Sequence, residues 1–145
     1  MTKILHFKRF DKSVPAPLQA TQGSAGIDLY AREDIEIAPH QVGMVPLNVA
    51  LKPPMGHWIL LAARSSLHKM GLMLANGIGV GDEDYVGDED EYKAALLNFT
   101  DKPVVVAKGE RIVQMIVTEK VPVELVEVEK MGASNRGGFG STGKK

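Results

Sequence analysis

The chain has no cysteine, only eight aromatic side chains (one Trp, three Tyr, four Phe), and no surplus of charge, with 17 basic against 18 acidic residues. Without cysteine there are no disulfides, no thiolate metal sites and no thiol nucleophile, and the content fits a reducing compartment. A net charge of −1 gives no global attraction to nucleic acid or to an anionic membrane, so neither is expected as a stable partner. No apolar run approaches the ~20 residues of a membrane span. The stretch Ile4-Leu5-His6-Phe7-Lys8-Arg9-Phe10 alternates, unlike the continuous apolar segment of a signal peptide. With 145 residues the expectation is one soluble, cytoplasmic domain with a core that needs no staples.

What is present is mostly period two. Ile35 and Ile37 flank Glu36, Val42 to Lys52 is extended up to Pro53-Pro54-Met55-Gly56, and His57 to Ala62 is a short apolar run. Tyr92–Asn98, Val104–Ala107, Ile112–Thr118 and Val123–Glu129 extend the series of predicted strands. Gly and Pro separate nearly all of them, which points to an all-β barrel or sandwich. Ser65 to Leu74, with Leu67, Met70 and Leu74, is the one predicted helix, of two or three turns.

Two stretches depart from this pattern. Asp82 to Glu91 holds seven of the 18 acidic residues, and Gly132 to Lys145 holds five of the 15 glycines. A calcium loop starting at Asp82 fails, because Val86 and Lys93 stand where ligands belong. Asp88 to Glu91 reads as a solvated loop. Asp82 closes the run Gly77-Ile78-Gly79-Val80-Gly81 and is a candidate semi-buried general base. In the tail, Gly138 to Lys144 matches G-x-x-x-x-G-K, but Lys145 replaces the hydroxyl residue of a P-loop. Its glycines, Ser141, Thr142 and Arg136 still suit an anion, and Phe139 suits a base. A disordered end is the plainer reading of the same composition. Arg64-Ser65-Ser66 follows the run ending Leu61-Ala62-Ala63. Its serines read first as helix caps, and its arginine needs an anionic partner. Asp28 reads as a turn residue or as a carboxylate near a metal. None of the four histidines has ligand spacing.

In order along the chain these segments resemble the five motifs of the trimeric dUTPase family. They are Ala25-Gly26-Ile27-Asp28-Leu29; Arg64-Ser65-Ser66 with Gly71-Leu72 and Ala75-Asn76; Gly79 to Gly87; Lys108 to Gln114; and Arg136 to Gly143. The resemblance implies a distorted jelly-roll-like β-barrel over residues 1–131 and a glycine-rich arm over 132–145 that closes on an active site. It implies a homotrimer with sites shared between subunits, dUTP as substrate, dUMP and pyrophosphate as products, and Mg2+ as cofactor. By position, Asp82 would activate the water that attacks the α-phosphorus, and Tyr85 would lie under the deoxyribose and exclude a 2′-hydroxyl. Asn76 and the main chain of Val80, Gly81 and Lys93 would read uracil. Arg64, Ser65, Ser66 and Gln114 would hold the phosphates, and Asp28 would reach magnesium through water. Phe139 would stack on uracil, with Arg136, Ser141 and Thr142 on the γ-phosphate.

Three departures from the family pattern stand out. Gly81 replaces a usual isoleucine, which loosens the backbone next to Asp82. Ala63 replaces a Pro or Gly. Asp88 to Tyr92 is a few residues longer than the usual return and half-repeats Gly81 to Tyr85. Gly87 and the interval from Asn76 put Tyr85, and not Tyr92, in the pocket. Two rival functions are a dCTP deaminase of the same fold and a non-catalytic, regulatory dUTPase-like protein. The first lacks its glutamate proton shuttle here, and Gly81 favours the second.

Overall fold

In the computed structural model, residues 1–141 and 143 are described. They form eleven strands and one 3-10 turn. The strands are β1 (His6–Arg9), β2 (Ile27–Tyr30), β3 (Ile35–Ile37), β4 (Val42–Pro46), β5 (Val49–Lys52) and β6 (His57–Ala63). They continue with β7 (Leu72–Leu74), β8 (Gly79–Gly81), β9 (Lys93–Asn98), β10 (Val104–Val106) and β11 (Arg111–Glu119). All pairings are antiparallel, and the two larger sheets run β2-β11-β6-β8 and β4-β9-β7, with β1-β5 and β3-β10 as two-stranded ribbons.

Alternation explains the core. Ile59 and Leu61 of β6 and Ala94 and Leu96 of β9 are buried between half-exposed or exposed neighbours, as one buried sheet face requires. In β11 the register against β2 shifts between Arg111 and Val113, and the bulge lets Ile112 and Val113 both be buried. Asn98 is fully buried and closes the β9–β10 turn. Its amide donates to the carbonyls of Ile37 and Lys102, and its oxygen accepts from Thr100. No described helix is long and apolar enough to cross a membrane.

The all-β architecture agrees with the sequence reading, but three local expectations do not. The helix over Ser65 to Leu74 is a single 3-10 turn, Leu67–Met70, ended by Gly71 at φ 80°. Leu72 and Leu74 then face the core from β7, so one apolar spacing served a turn and a strand. Val42 to Lys52 is two strands, interrupted at Asn48 with φ 67°. Val123–Glu129 is no strand. Val121, Val123, Leu125, Val126, Val128 and Met131 are exposed, and no residue from Val121 to Asn135 hydrogen-bonds to another described residue. Alternation there prepares two faces, but a strand also needs an edge to pair with.

Candidate active site

The end of β6 delivers Arg64 beside β2 and β11. Its Nε lies 3.2 Å from Asp28 Oδ1, and its Nη1 donates to the Arg111 carbonyl at 3.1 Å. Arg111 Nη1 donates to the second Asp28 oxygen at 3.2 Å. One nearly buried carboxylate thus holds two guanidinium groups, and with Arg64 it lines a cleft of about 350 Å³. Ser24, Ala25, Gly26, Ser65 and Gln114 line the same cleft. Gln114 donates to the Ala63 carbonyl at 2.9 Å, which ties β11 to the arginine segment. The Gln114 side chain packs directly over Gly26, so a β-carbon there would displace its amide. Residues from three segments therefore meet at a cleft whose guanidinium, hydroxyl and amide groups suit phosphate oxygens.

The serines do not cap. Ser66 precedes the 3-10 turn without a side-chain cap bond, and Ser65 is exposed. Their hydroxyls are left available to a ligand.

A second cleft, of about 330 Å³, is lined by residues of β6 and β8. Asn76, Val80, Gly81, Tyr85 and Lys93 line it, together with Glu91 and Tyr92. Among the described residues β8 pairs only with β6, so the donors and acceptors on its free edge have no strand partner. Asp82 follows at the end of β8 and is exposed, not semi-buried as its sequence context implied. It lines a third cavity, of about 740 Å³, with Trp58, Val80, Glu83, Asp84 and Lys120.

The acidic segment is not simply a solvated loop. Glu91 is buried, and its carboxylate accepts from Arg32 Nε at 2.7 Å, Arg32 Nη2 at 3.1 Å and the Asn48 N–H at 3.0 Å. The same carboxylate raises the Arg32 pKa further. Glu83 accepts from the Gly56 N–H at 2.8 Å and pairs with Lys120, and these contacts hold its carboxyl below the usual range. Tyr92 also corrects the sequence reading, since it lines the cleft along with Tyr85. The Tyr92 ring fills the space beside Gly81, so glycine is there for room and not for looseness. Glu91 was missed because its partners, Arg32 and Asn48, lie far away in sequence, and Tyr92 was set aside because spacing alone places one tyrosine and not two. Their one local signal is a buried-type aromatic directly before β9.

In the arm, Arg136, Phe139 and Ser141 are exposed, and Phe139 has φ 51° within a turn closed by the Ser141 N–H on the Gly138 carbonyl. Within one chain they do not join either cleft. Thr142 lies outside the described residues.

Fold and clefts define a class first: an all-β protein with an arginine-and-serine cleft and a glycine-and-tyrosine cleft. Comparison with known proteins then specifies it. The family model described as dUTPase matches residues 12–143. The chain is 37% identical over 142 residues to the deoxyuridine 5′-triphosphate nucleotidohydrolase of Hydrogenobaculum sp., covering 95% of this chain and 96% of the relative. It is 39% identical over 140 residues to the enzyme of that name from Corynebacterium glutamicum, covering 94% and 92%. The crystal structure of dUTPase from Streptococcus mutans aligns with a TM-score of 0.74 at 32% identity, over 81% of this chain and 98% of that one. The fold also matches the Staphylococcus bacteriophage 80alpha dUTPase solved with dUPNHPP, with a TM-score of 0.85 at 23% identity over 99% and 100%. The chain belongs to the dUTPase family.

Proposed function

We propose that this chain is a dUTP diphosphatase, hydrolysing dUTP to dUMP and pyrophosphate by attack of water on the α-phosphorus with Asp82 as general base. The observation that carries the reading is the sorting of residues from separate segments into two complementary clefts. Asp28, Arg64, Ser65 and Gln114 meet at one, and Asn76, Val80, Gly81, Tyr85 and Lys93 at the other, with Asp82 leaving the strand that lines the second. The first cleft offers guanidinium and hydroxyl groups to phosphate oxygens, with Ser66 adjacent. The second offers a free strand edge and an amide to the polar edge of uracil, and the Tyr85 ring to the deoxyribose. Main-chain donors and acceptors have fixed geometry, so they distinguish uracil from cytosine and leave no room for a 5-methyl group. Catalysis on this reading is orientation of one water and neutralisation of developing charge.

The two clefts share no lining residue, and the exposed apolar side chains between Val121 and Met131 pack on none of the core among the described residues. Both features support a homotrimer with sites shared between subunits. The segment 132–145 then acts as the closing arm, stacking Phe139 on uracil and bringing Arg136, Ser141 and Thr142 to the γ-phosphate. A cytoplasmic location belongs to the same reading, since the substrate is a soluble nucleotide.

Magnesium fits as an ion carried by the substrate. No three His, Cys, Asp or Glu side chains come together among the described residues, and both Asp28 oxygens already face arginines. Asp28 has lone pairs left for a metal-bound water, the usual way magnesium is held beside phosphates. The ion would neutralise triphosphate charge.

Asp82→Asn tests the assignment. It keeps volume and should keep assembly while lowering kcat by about 10²–10⁴-fold. Hydrolysis at the wild-type rate by an assembled variant would remove Asp82 from the mechanism.

A further inference from the structure

Tyr92 has the only buried side-chain polar atom without a hydrogen-bond partner among the described residues. The residue is 4% exposed, yet it lines the cleft assigned above to base and sugar. Its backbone is fixed on both sides. The Tyr92 N–H donates to the Val49 carbonyl at 2.9 Å, and its carbonyl accepts from Leu47 at 2.9 Å. The preceding residue is Glu91, with the carboxylate held by Arg32 and Asn48. Tyr92 is therefore the rigid member of its neighbourhood.

Two groups lean on it. A β-carbon on Gly81 would come within 2.6 and 2.7 Å of Tyr92 ring carbons and closer still to the hydroxyl, so the ring sets how near β8 can approach. The Tyr85 ring meets the Tyr92 ring edge-on, with centroids 5.5 Å apart and planes at 63°. At its other end the Tyr85 hydroxyl donates to the Glu91 carbonyl at 3.2 Å. The longer acidic return thus grips Tyr85 at both ring and hydroxyl, and its last residue backs the strand that leads to Asp82.

We propose that Tyr92 is a positioning residue for sugar selection: wedged beside Gly81 and against Tyr85, it fixes the Tyr85 ring so closely under the sugar that a ribose 2′-hydroxyl does not fit. This rests on the dUTP reading and deepens it. Tyr92 acts through Tyr85 and touches no reacting atom. Gly81, which departs from the family pattern, and the lengthened return then form one device, the glycine making room for the tyrosine.

The test is the ratio of kcat/KM for dUTP to that for UTP, because a partly unfolded population lowers both values equally and leaves the ratio alone. Tyr92→Phe keeps the ring and should hold the ratio within about twofold of wild type. Tyr92→Leu removes the edge contact and should lower the ratio by about tenfold or more, the scale on which pocket shape discriminates. Gly81→Ala pushes on the ring from the other side and should also lower it, while Gly81→Ala with Tyr92→Leu should recover hydrolysis relative to Gly81→Ala alone. If Tyr92→Leu melts earlier but keeps the wild-type ratio, Tyr92 is only a core residue and the inference is overturned. If Tyr92→Leu does not fold, an unchanged ratio in Gly81→Ala overturns it. A wild-type protein with no preference for dUTP over UTP overturns the dUTP reading itself, and the inference with it.

Discussion

Replacing Glu91 with alanine should be among the most damaging single changes in the acidic segment, although six other carboxylates precede it there. The Glu91 carboxylate takes three hydrogen bonds, two from Arg32 and one from the Asn48 N–H, at 2.7, 3.1 and 3.0 Å. Removing one partner of a buried ion pair typically costs ~3–5 kcal/mol, because the other charge stays behind unpaired. Here the Arg32 side chain is 32% exposed and can regain some water, and Glu33 lies 3.7 Å away. The expected loss is therefore reduced to ~2–3 kcal/mol. At roughly 3 °C per kcal/mol for a domain of this size, Tm should fall by about 6–9 °C. Circular dichroism melting at one fixed protein concentration measures it, since association would otherwise shift Tm. Glu91→Gln keeps the volume but turns an amide donor toward Arg32, so it should recover less than half of the loss. A shift within about 1 °C for Glu91→Ala, where ~2–3 kcal/mol is expected, would show that this segment is solvated and anchors nothing.

Three further outcomes are expected. dUTP should exceed dTTP and dCTP in kcat/KM by about two orders of magnitude or more, measured by pyrophosphate release, since mismatched buried polar groups are costly; comparable dTTP turnover would contradict main-chain reading of the base. If the arm completes the site as proposed, deleting residues 132–145 should leave the assembly state read by sedimentation and Tm nearly unchanged while kcat collapses; a fully active truncation would reduce the arm to a tail. Burial, then Tyr85 and Asp82, push the Tyr92 phenol from 10.0 up to about 12. The unfolded chain releases that proton first, so stability should fall as pH rises from 10.0 toward about 12, by at most ~1.4 kcal/mol per unit. Tyr92→Phe should remove that part of the alkaline slope in denaturant titrations, and an identical slope would place the phenol in water.

The barrel was legible because alternation and Gly/Pro punctuation are local. β3, β6, β9, β10 and β11 fall close to where period two puts them. Leu67, Met70 and Leu74 misled because a 3-10 turn ended by Gly71 and a following strand bury Leu67 and Leu74 and half-bury Met70, as a helix face would. Val123 to Glu129 misled for a different reason, as its alternation says nothing about where a pairing edge lies. The site residues were legible only as motifs. That Asp28 holds both Arg64 and Arg111, or that Glu91 receives Arg32 from 59 positions away, is tertiary information. Gly81 is the sharpest case. Alone it reads as a loosened backbone, and only the Tyr92 ring beside it shows why a side chain is excluded.

The central claim is hydrolysis of dUTP at the α-phosphorus. It is tested most directly by turnover of dUTP in heavy-oxygen water with magnesium, with mass analysis of both products and a parallel incubation with dCTP. The expected result is dUMP carrying one heavy oxygen, unlabelled pyrophosphate, and no ammonia from dCTP. Label in pyrophosphate would move the attack to the β-phosphorus, ammonia from dCTP would make the chain a deaminase, and no product from either would leave a dUTPase fold without the chemistry.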